Sequence, residues 1–158
     1  MVKTQYGDLW KTQSDYKVVT TNGFVKKNGA AVMGRGVALQ AKQKFPGLEF
    51  AVGEYIKTYG NHVGLISEET GIVIFPTKSV WWEVSDLRLI ERSAKELKKL
   101  TEELQDKTFA MPVPGIGNGR LAIKDVWPIL RKVQLPNSVI VVLNDIELIE
   151  EIKELENS

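Results

Sequence analysis

Two glycine-rich segments carry the residue types that hold a phosphate. The first opens at Asn22-Gly23, passes Asn28-Gly29 and ends in Met33-Gly34-Arg35-Gly36. The second is Pro112-Val113-Pro114-Gly115-Ile116-Gly117-Asn118-Gly119-Arg120. Glycine lets backbone approach a ligand and exposes unpaired N–H groups, and a helix N-terminus behind the loop adds positive potential. One such loop is most simply a turn. Two of them, each running from a strand end into a helix start, point to a diphosphate or dinucleotide. Neither carries Gly-Lys-Ser/Thr, which argues against a P-loop nucleotidase, and Gly115-x-Gly117-x-Gly119 misses the third glycine of the Rossmann fingerprint. Asp145 ends the following strand, where a ribose-binding acid would stand. On spacing alone, an NAD-type dinucleotide module stays open.

Other side chains suit the remaining parts of such a ligand. Asn22 could hold a ribose hydroxyl or simply cap a turn, and position alone weighs these equally. Asp8 could accept from an exocyclic amine, or serve as an N-cap. Lys78 ends the apolar run Gly71–Thr77; a lysine desolvated at a buried strand end has a lowered pKa and becomes a nucleophile, although most lysines are solvated surface charges. Trp81 and Trp82 follow and could wall a pocket or stack on a base, with one of them expected in the core. Glu83 and Asp86 are candidate bases, with helix capping the default for Asp86. His62, in Gly-Asn-His-Val-Gly, reads as a solvated loop histidine.

The elements that must position these residues follow from pattern. Tyr16–Thr21 is a β-branched run stopped at Asn22-Gly23. Helices are predicted over Val37–Phe45, ended by Pro46-Gly47, and over Leu48–Tyr59, ended by Gly60-Asn61. Val63–Ser67 and Ile72–Thr77 form a strand pair across Glu68–Gly71. Ser85-Asp86 caps a long amphipathic helix, Leu87–Leu104. Thr108–Met111 is a short buried strand, and Leu121–Val133 a helix in which Pro128 must kink the chain or sit in the first turn. Ser138–Leu143 is a wholly apolar strand, and Asp145–Leu155 an acidic helix. Alternating strands and helices, with strands lacking polar alternation, indicate an α/β fold: a mainly parallel sheet covered on both faces, with ligands bound at the carboxyl ends of its strands.

Composition narrows the function classes. The 158 residues suit one domain, 1–158, with a core of its own. Lysine plus arginine number 21 against 20 acids, so no basic excess drives non-specific nucleic-acid binding. There is no cysteine and a single histidine, which excludes disulfides, thiolate metal sites and a cysteine nucleophile, and leaves no histidine-rich metal site. No metal and no cofactor is expected. No apolar run approaches the ~20 residues of a membrane span, and Met1–Gln5 carries no signal-peptide core. The expectation is a cytoplasmic protein with no membrane partner.

Four segments, in order, resemble the macrodomain family of ADP-ribose-binding proteins. They are Gly7-Asp8-Leu9, Val19-Thr20-Thr21-Asn22, Met33-Gly34-Arg35-Gly36-Val37-Ala38-Leu39-Gln40, and Met111-Pro112 through Gly115-Ile116-Gly117-Asn118-Gly119. The resemblance implies a three-layer α/β/α fold with a mixed, mostly parallel central sheet. It implies that Asp8, beside Leu9, meets adenine and that Asn22 meets the distal ribose. It implies that Gly34, Arg35, Gly36 and Val37 flank the diphosphate, and that Pro114, Gly115, Ile116, Gly117, Asn118, Gly119 and Arg120 close over it. Asn144, at the last strand end, joins this set. The Met-Gly-x-Gly-x-Ala-x-Gln-x-Lys pattern is most similar to the branch of terminal ADP-ribose glycohydrolase, DNA-ADP-ribose-removing antitoxins and phage-type macrodomains. Lys78, in Phe75-Pro76-Thr77-Lys78, falls where glycohydrolase members place a lysine that attacks the distal ribose.

The implied function is a hydrolase that removes ADP-ribose from a protein or nucleic acid, or processes ADP-ribose-1″-phosphate. The implied partner is ADP-ribose or its macromolecular carrier, met by a monomer. The branch often places an aspartate in the second loop. The matching position here is Gly119, next to Arg120, and Asp125 lies beyond the loop inside a helix. A non-catalytic ADP-ribose-binding module therefore stands as the alternative. Lys26 and Lys27, in the first loop, could meet phosphates of a ligand or nucleic acid.

Overall fold

The apolar strand β6 (Val139–Leu143) is the second strand, beside the edge, of a six-stranded sheet in this computed structural model, which describes residues 2–157. The order is β1-β6-β5-β2-β4-β3, where β1 is Lys3–Tyr6, β2 Tyr16–Asn22, β3 Gly64–Ser67, β4 Ile72–Lys78 and β5 Phe109–Met111. Every pairing is parallel except β3 with β4, the expected hairpin across Glu68–Gly71. Two helices, α1 (Gly36–Lys44) and α2 (Leu48–Tyr59), cover one face. Three others, α3 (Leu87–Glu103), α4 (Ile123–Val133) and α5 (Ile146–Glu156), cover the other.

The period-2 alternation of strands explains the two cores. Val19, Ile72 and Ile74 point towards α1 and α2, into a cluster with Ala41 and Val52. Their neighbours Val18, Val73 and Phe75 point the other way, joining Ile90, Leu97, Trp127 and Leu130. A strand buried on both faces has no polar side to show, which is why β4 and β6 read as unbroken apolar runs.

Three details depart from the sequence reading. The strand β1 leaves no hydrophobic signal, because Lys3, Thr4, Gln5 and Tyr6 are all exposed; it is an edge strand held by its ladder to β6. Helix α4 begins at Ile123, because the Leu121 N–H donates instead to Gly115 O at 2.9 Å and closes the second loop. Pro128 is the sixth residue of that helix, so the first-turn alternative fails; the carbonyl of Lys124 loses its helical donor there. No helix among the described residues is long and apolar enough to cross a membrane.

Candidate functional site

The carboxyl ends of β1, β6, β5, β2 and β4 all open on one side of the sheet, because these strands are mutually parallel. A cleft of about 1450 Å³ runs across them. Asp8 follows β1 and Lys78 ends β4, four strand spacings apart in the sheet order. At ~4.8 Å per spacing the two ends lie roughly 19 Å apart, which calls for an elongated ligand.

The β1 end is a small polar and aromatic corner. Asp8 caps a short 3-10 turn, Leu9–Lys11, by accepting from the Trp10 N–H at 2.8 Å. Trp10 lines the cleft beside it, fixed by its indole N–H donating to Gln40 Oε1 at 2.9 Å, with the Lys44 ammonium 5.2 Å from the ring centre. Asp8 is thus a cap, and it also lines the cleft. Trp10 was missed by sequence reasoning, and Gln40 entered it only as the end of the Met33–Gln40 segment. The available signal was a tryptophan two residues after Asp8 and a glutamine on the next helix.

The middle is built by the two glycine loops. Helix α1 starts with no side-chain cap at Arg35, so its first amides keep no partner within the helix. Gly36 stands at φ +58°, and a Cβ there would lie 3.0 Å from Asn118 Nδ2 of the opposite loop. The loops thus face each other across the cleft at Gly36 and Asn118. The first amides of α1, with the second loop facing them, make an arrangement that suits an anion.

The β4 end holds the reactive candidates. A register shift after Thr21 sets Asn22 opposite Lys78 in the β2–β4 ladder. Asn22 is 8% exposed; its amide donates to Val32 O at 3.0 Å and its Oδ1 accepts from the Phe24 N–H at 2.9 Å. It both ties down the first loop and lines the cleft. The Lys78 ammonium donates to Glu83 O at 3.2 Å. Burial lowers its pKa below the ordinary lysine value, the positive charges of Arg120 and Arg35 lower it further, and Glu83 opposes them.

The cleft also brings together Gly34, Arg35, Val37, Gly115, Ile116, Gly117, Gly119, Arg120 and Asn144. Pro114 is the correction: it is buried, and it is not among the lining residues. Asp145, the acid weighed for a dinucleotide module, spends one oxygen capping α5 on the Glu147 N–H at 2.9 Å. Lys26 and Lys27 are exposed and lie off the cleft. Neither Trp81 nor Trp82 enters the core: they are 48% and 55% exposed and both line the cleft. His62 is not free in solvent; its Nδ1 meets Glu96 Oε2 at 2.7 Å. Among the described residues, no group of three or more histidines, cysteines or acids is placed to hold a metal.

Ser85 was overlooked as a site residue. It is 5% exposed, lines the cleft, and its hydroxyl has no hydrogen-bond partner. It sits under Gly119: a Cβ at Gly119 would overlap Ser85 Oγ and stand 3.1 Å from its Cβ. A side chain at the position where an aspartate was sought in the second loop would therefore require Ser85 to shift.

No family model matches the chain. Among solved structures, the macrodomain of Mycobacterium tuberculosis DarG superposes with a TM-score of 0.75 at 29% identity, over 92% of this chain and 98% of that one. The chain is a macrodomain. The macrodomain of Thermus aquaticus DarG matches with a TM-score of 0.72 at 27% identity, over 92% and 98% of the two chains. In sequence, this macrodomain is 31% identical over 134 residues to a Mycobacterium tuberculosis protein named DNA ADP-ribosyl glycohydrolase, which is 80% of this chain and 36% of that protein. The chain thus spans about a third of that relative's length.

Proposed function

We propose that this macrodomain is an ADP-ribosyl glycohydrolase that releases ADP-ribose from a macromolecule, DNA before protein. The observation that carries the proposal is the partly buried Lys78, flanked by Arg120 and Arg35, at the far end of an elongated cleft whose middle faces the α1 N-terminus. The names of its relatives, DNA ADP-ribosyl glycohydrolases, support DNA as the carrier.

In this reading adenine lies at Asp8 against Trp10, and the diphosphate lies between the α1 N-terminus and the second loop. Asn22 orients the distal ribose. The neutral Lys78 amine attacks the anomeric carbon: an N–C bond forms, the bond to the carrier breaks, and its electron pair leaves with the carrier. The ammonium proton passes to solvent or to the departing group. Water then attacks the same carbon, freeing ADP-ribose and the amine. Burial and the two guanidinium groups favour this chemistry because they raise the neutral fraction of Lys78 at ordinary pH.

The test is hydrolysis of an ADP-ribosylated oligonucleotide, with titration of free ADP-ribose alongside. Lys78→Ala is expected to bind ADP-ribose and to lose turnover. A Lys78→Ala variant as fast as the wild type would remove Lys78 from the mechanism. The binding-only alternative keeps one observation in its favour: Ser85 fills the space at Gly119, and no acid lies in that loop. It predicts tight ADP-ribose binding with no turnover of DNA, protein or 1″-phosphate substrates. The proposal further takes residues 1–158 as one domain, since a single sheet joins strands from Lys3 to Leu143, working as a monomer in the cytoplasm. Sedimentation in solution checks the monomer.

A further inference from the structure

The segment between β4 and α3 presents two large indoles to solvent at the mouth of the cleft, immediately after Lys78. It is a fixed structure. The Asp86 N–H donates to Thr77 O at 2.8 Å and the Ser85 N–H to Gly119 O at 2.9 Å, which pins its far end. Within it, Lys78 holds Glu83 O and the Arg120 guanidinium holds Trp82 O, both at 3.2 Å. Trp81 and Trp82 meet edge to face, with centres 5.3 Å apart and planes at 88°, and Phe24 supports Trp82 at 5.8 Å. A T-shaped contact covers at most one face of a ring, so Trp81, with this single ring contact, keeps a face open.

Burying an indole stabilises a fold, and leaving two half-exposed in a rigid turn forgoes that gain. The forgone gain is recovered when a flat partner covers them. The charges fit an anionic partner: Arg35 and Arg120 at the cleft, and exposed Lys26 and Lys27 in the loop that follows Phe24, against Glu83 and the helix-capping Asp86 on the turn itself. Open aromatic faces bordered by cations are how proteins hold single-stranded nucleic acid without reading its sequence.

We propose that Trp81 and Trp82 form a stacking shelf for a nucleobase of the single-stranded carrier next to the ADP-ribosyl bond, with Lys26 and Lys27 meeting its backbone phosphates. The shelf rests on the glycohydrolase reading of the same cleft and adds the carrier's subsite to it. It selects the carrier and leaves the ADP-ribose pocket alone.

The experiment compares Trp81→Ala and Trp82→Ala in a Lys78→Arg background, which removes the nucleophilic amine to keep substrates intact and retains a donor for Glu83 O. The probes are free ADP-ribose, a single-stranded oligonucleotide bearing one ADP-ribose on a base, and an ADP-ribosylated peptide. Loss of a stacked base weakens oligonucleotide binding roughly 5- to 150-fold. Free ADP-ribose and the peptide are expected to bind as before. Trp82→Phe should restore most of the oligonucleotide affinity, which separates stacking from damage to the turn. In the otherwise wild-type chain, the same alanine variants should raise KM for the oligonucleotide more than they lower kcat. Unchanged oligonucleotide binding in both alanine variants, or an equal loss for the peptide, would overturn the shelf while leaving the glycohydrolase reading standing. Failure of the unsubstituted chain to bind free ADP-ribose would bring down that reading first, and the shelf with it.

Discussion

Gly36→Ala tests the geometry of the α1 N-terminus. Gly36 opens α1 at φ +58°, a conformation that costs an L-residue about 1–2 kcal/mol. The added methyl would also come within 3.0 Å of the Asn118 amide, a side-chain end that can shift, so the backbone term dominates. The variant has two ways to take up that strain. It can keep the native φ, and then the fold loses about 1–2 kcal/mol, a fall in Tm of roughly 2–8 °C for a chain of this size. Alternatively it relaxes in the free state, which turns the first α1 amides away from the cleft. Ligand must then pull them back, and Kd for ADP-ribose rises by roughly 5- to 30-fold. Thermal unfolding and calorimetric titration on the same sample read both losses, and their sum should reach about 1–2 kcal/mol. Gly34→Ala is the control. Gly34 is two residues earlier, has no positive φ, and a Cβ there meets nothing within 4 Å. It should hold or slightly raise Tm, by up to about 1 kcal/mol in stability. A Gly36→Ala protein with neither loss, or a Gly34→Ala protein destabilised as much as Gly36→Ala, would refute the assignment of strain to this residue.

Turnover should rise with pH as Lys78 loses its proton, and the rise should fall below the pH expected of an ordinary lysine, since burial, Arg120 and Arg35 all lower its pKa. Arg120→Gln removes one of those cations, so the limb of the pH–kcat/KM profile should move to higher pH, whereas Arg120→Lys should leave it in place. Asp8→Asn retains an oxygen for the Trp10 N–H but puts a donor where the second carboxylate oxygen stood. Its Tm should therefore hold while Kd for ADP-ribose rises, as titration would show; unchanged affinity would take Asp8 out of adenine recognition. Gly119→Asp should add no activity despite supplying an acid, because its Cβ overlaps Ser85 Oγ. Overpacking of this kind costs about 1–3 kcal/mol, seen as a lower Tm, and Ser85→Gly in the same chain should recover it.

The sheet and its coverings were legible because each face of each strand imposes its own pattern. The run from Ile72 to Phe75 is apolar on both faces and buried on both, and Asp86 and Asp145 each cap the helix that follows them. The strand β1 was not legible, since an exposed edge strand is held by backbone ladder bonds that any side chain permits. The glycine loops were legible as loops, because glycine at positive φ, as at Gly36, Gly115 and Gly117, is a local demand of the backbone and local demands are written in residue type.

What those loops face was decided by tertiary structure alone. The placing of Asn118 opposite Gly36 brings together residues far apart in the chain. The register shift in β2 puts Asn22 beside Lys78. Lys78 has its pKa lowered by burial and by Arg35 and Arg120, residues from separate loops. Trp81 and Trp82 carry the composition of core residues, yet the turn that Lys78 and Arg120 hold by its carbonyls turns them to solvent. A residue's type states what it can do. Its electrostatic surroundings depend on which distant segments the sheet order brings within reach, and no spacing along the chain records that.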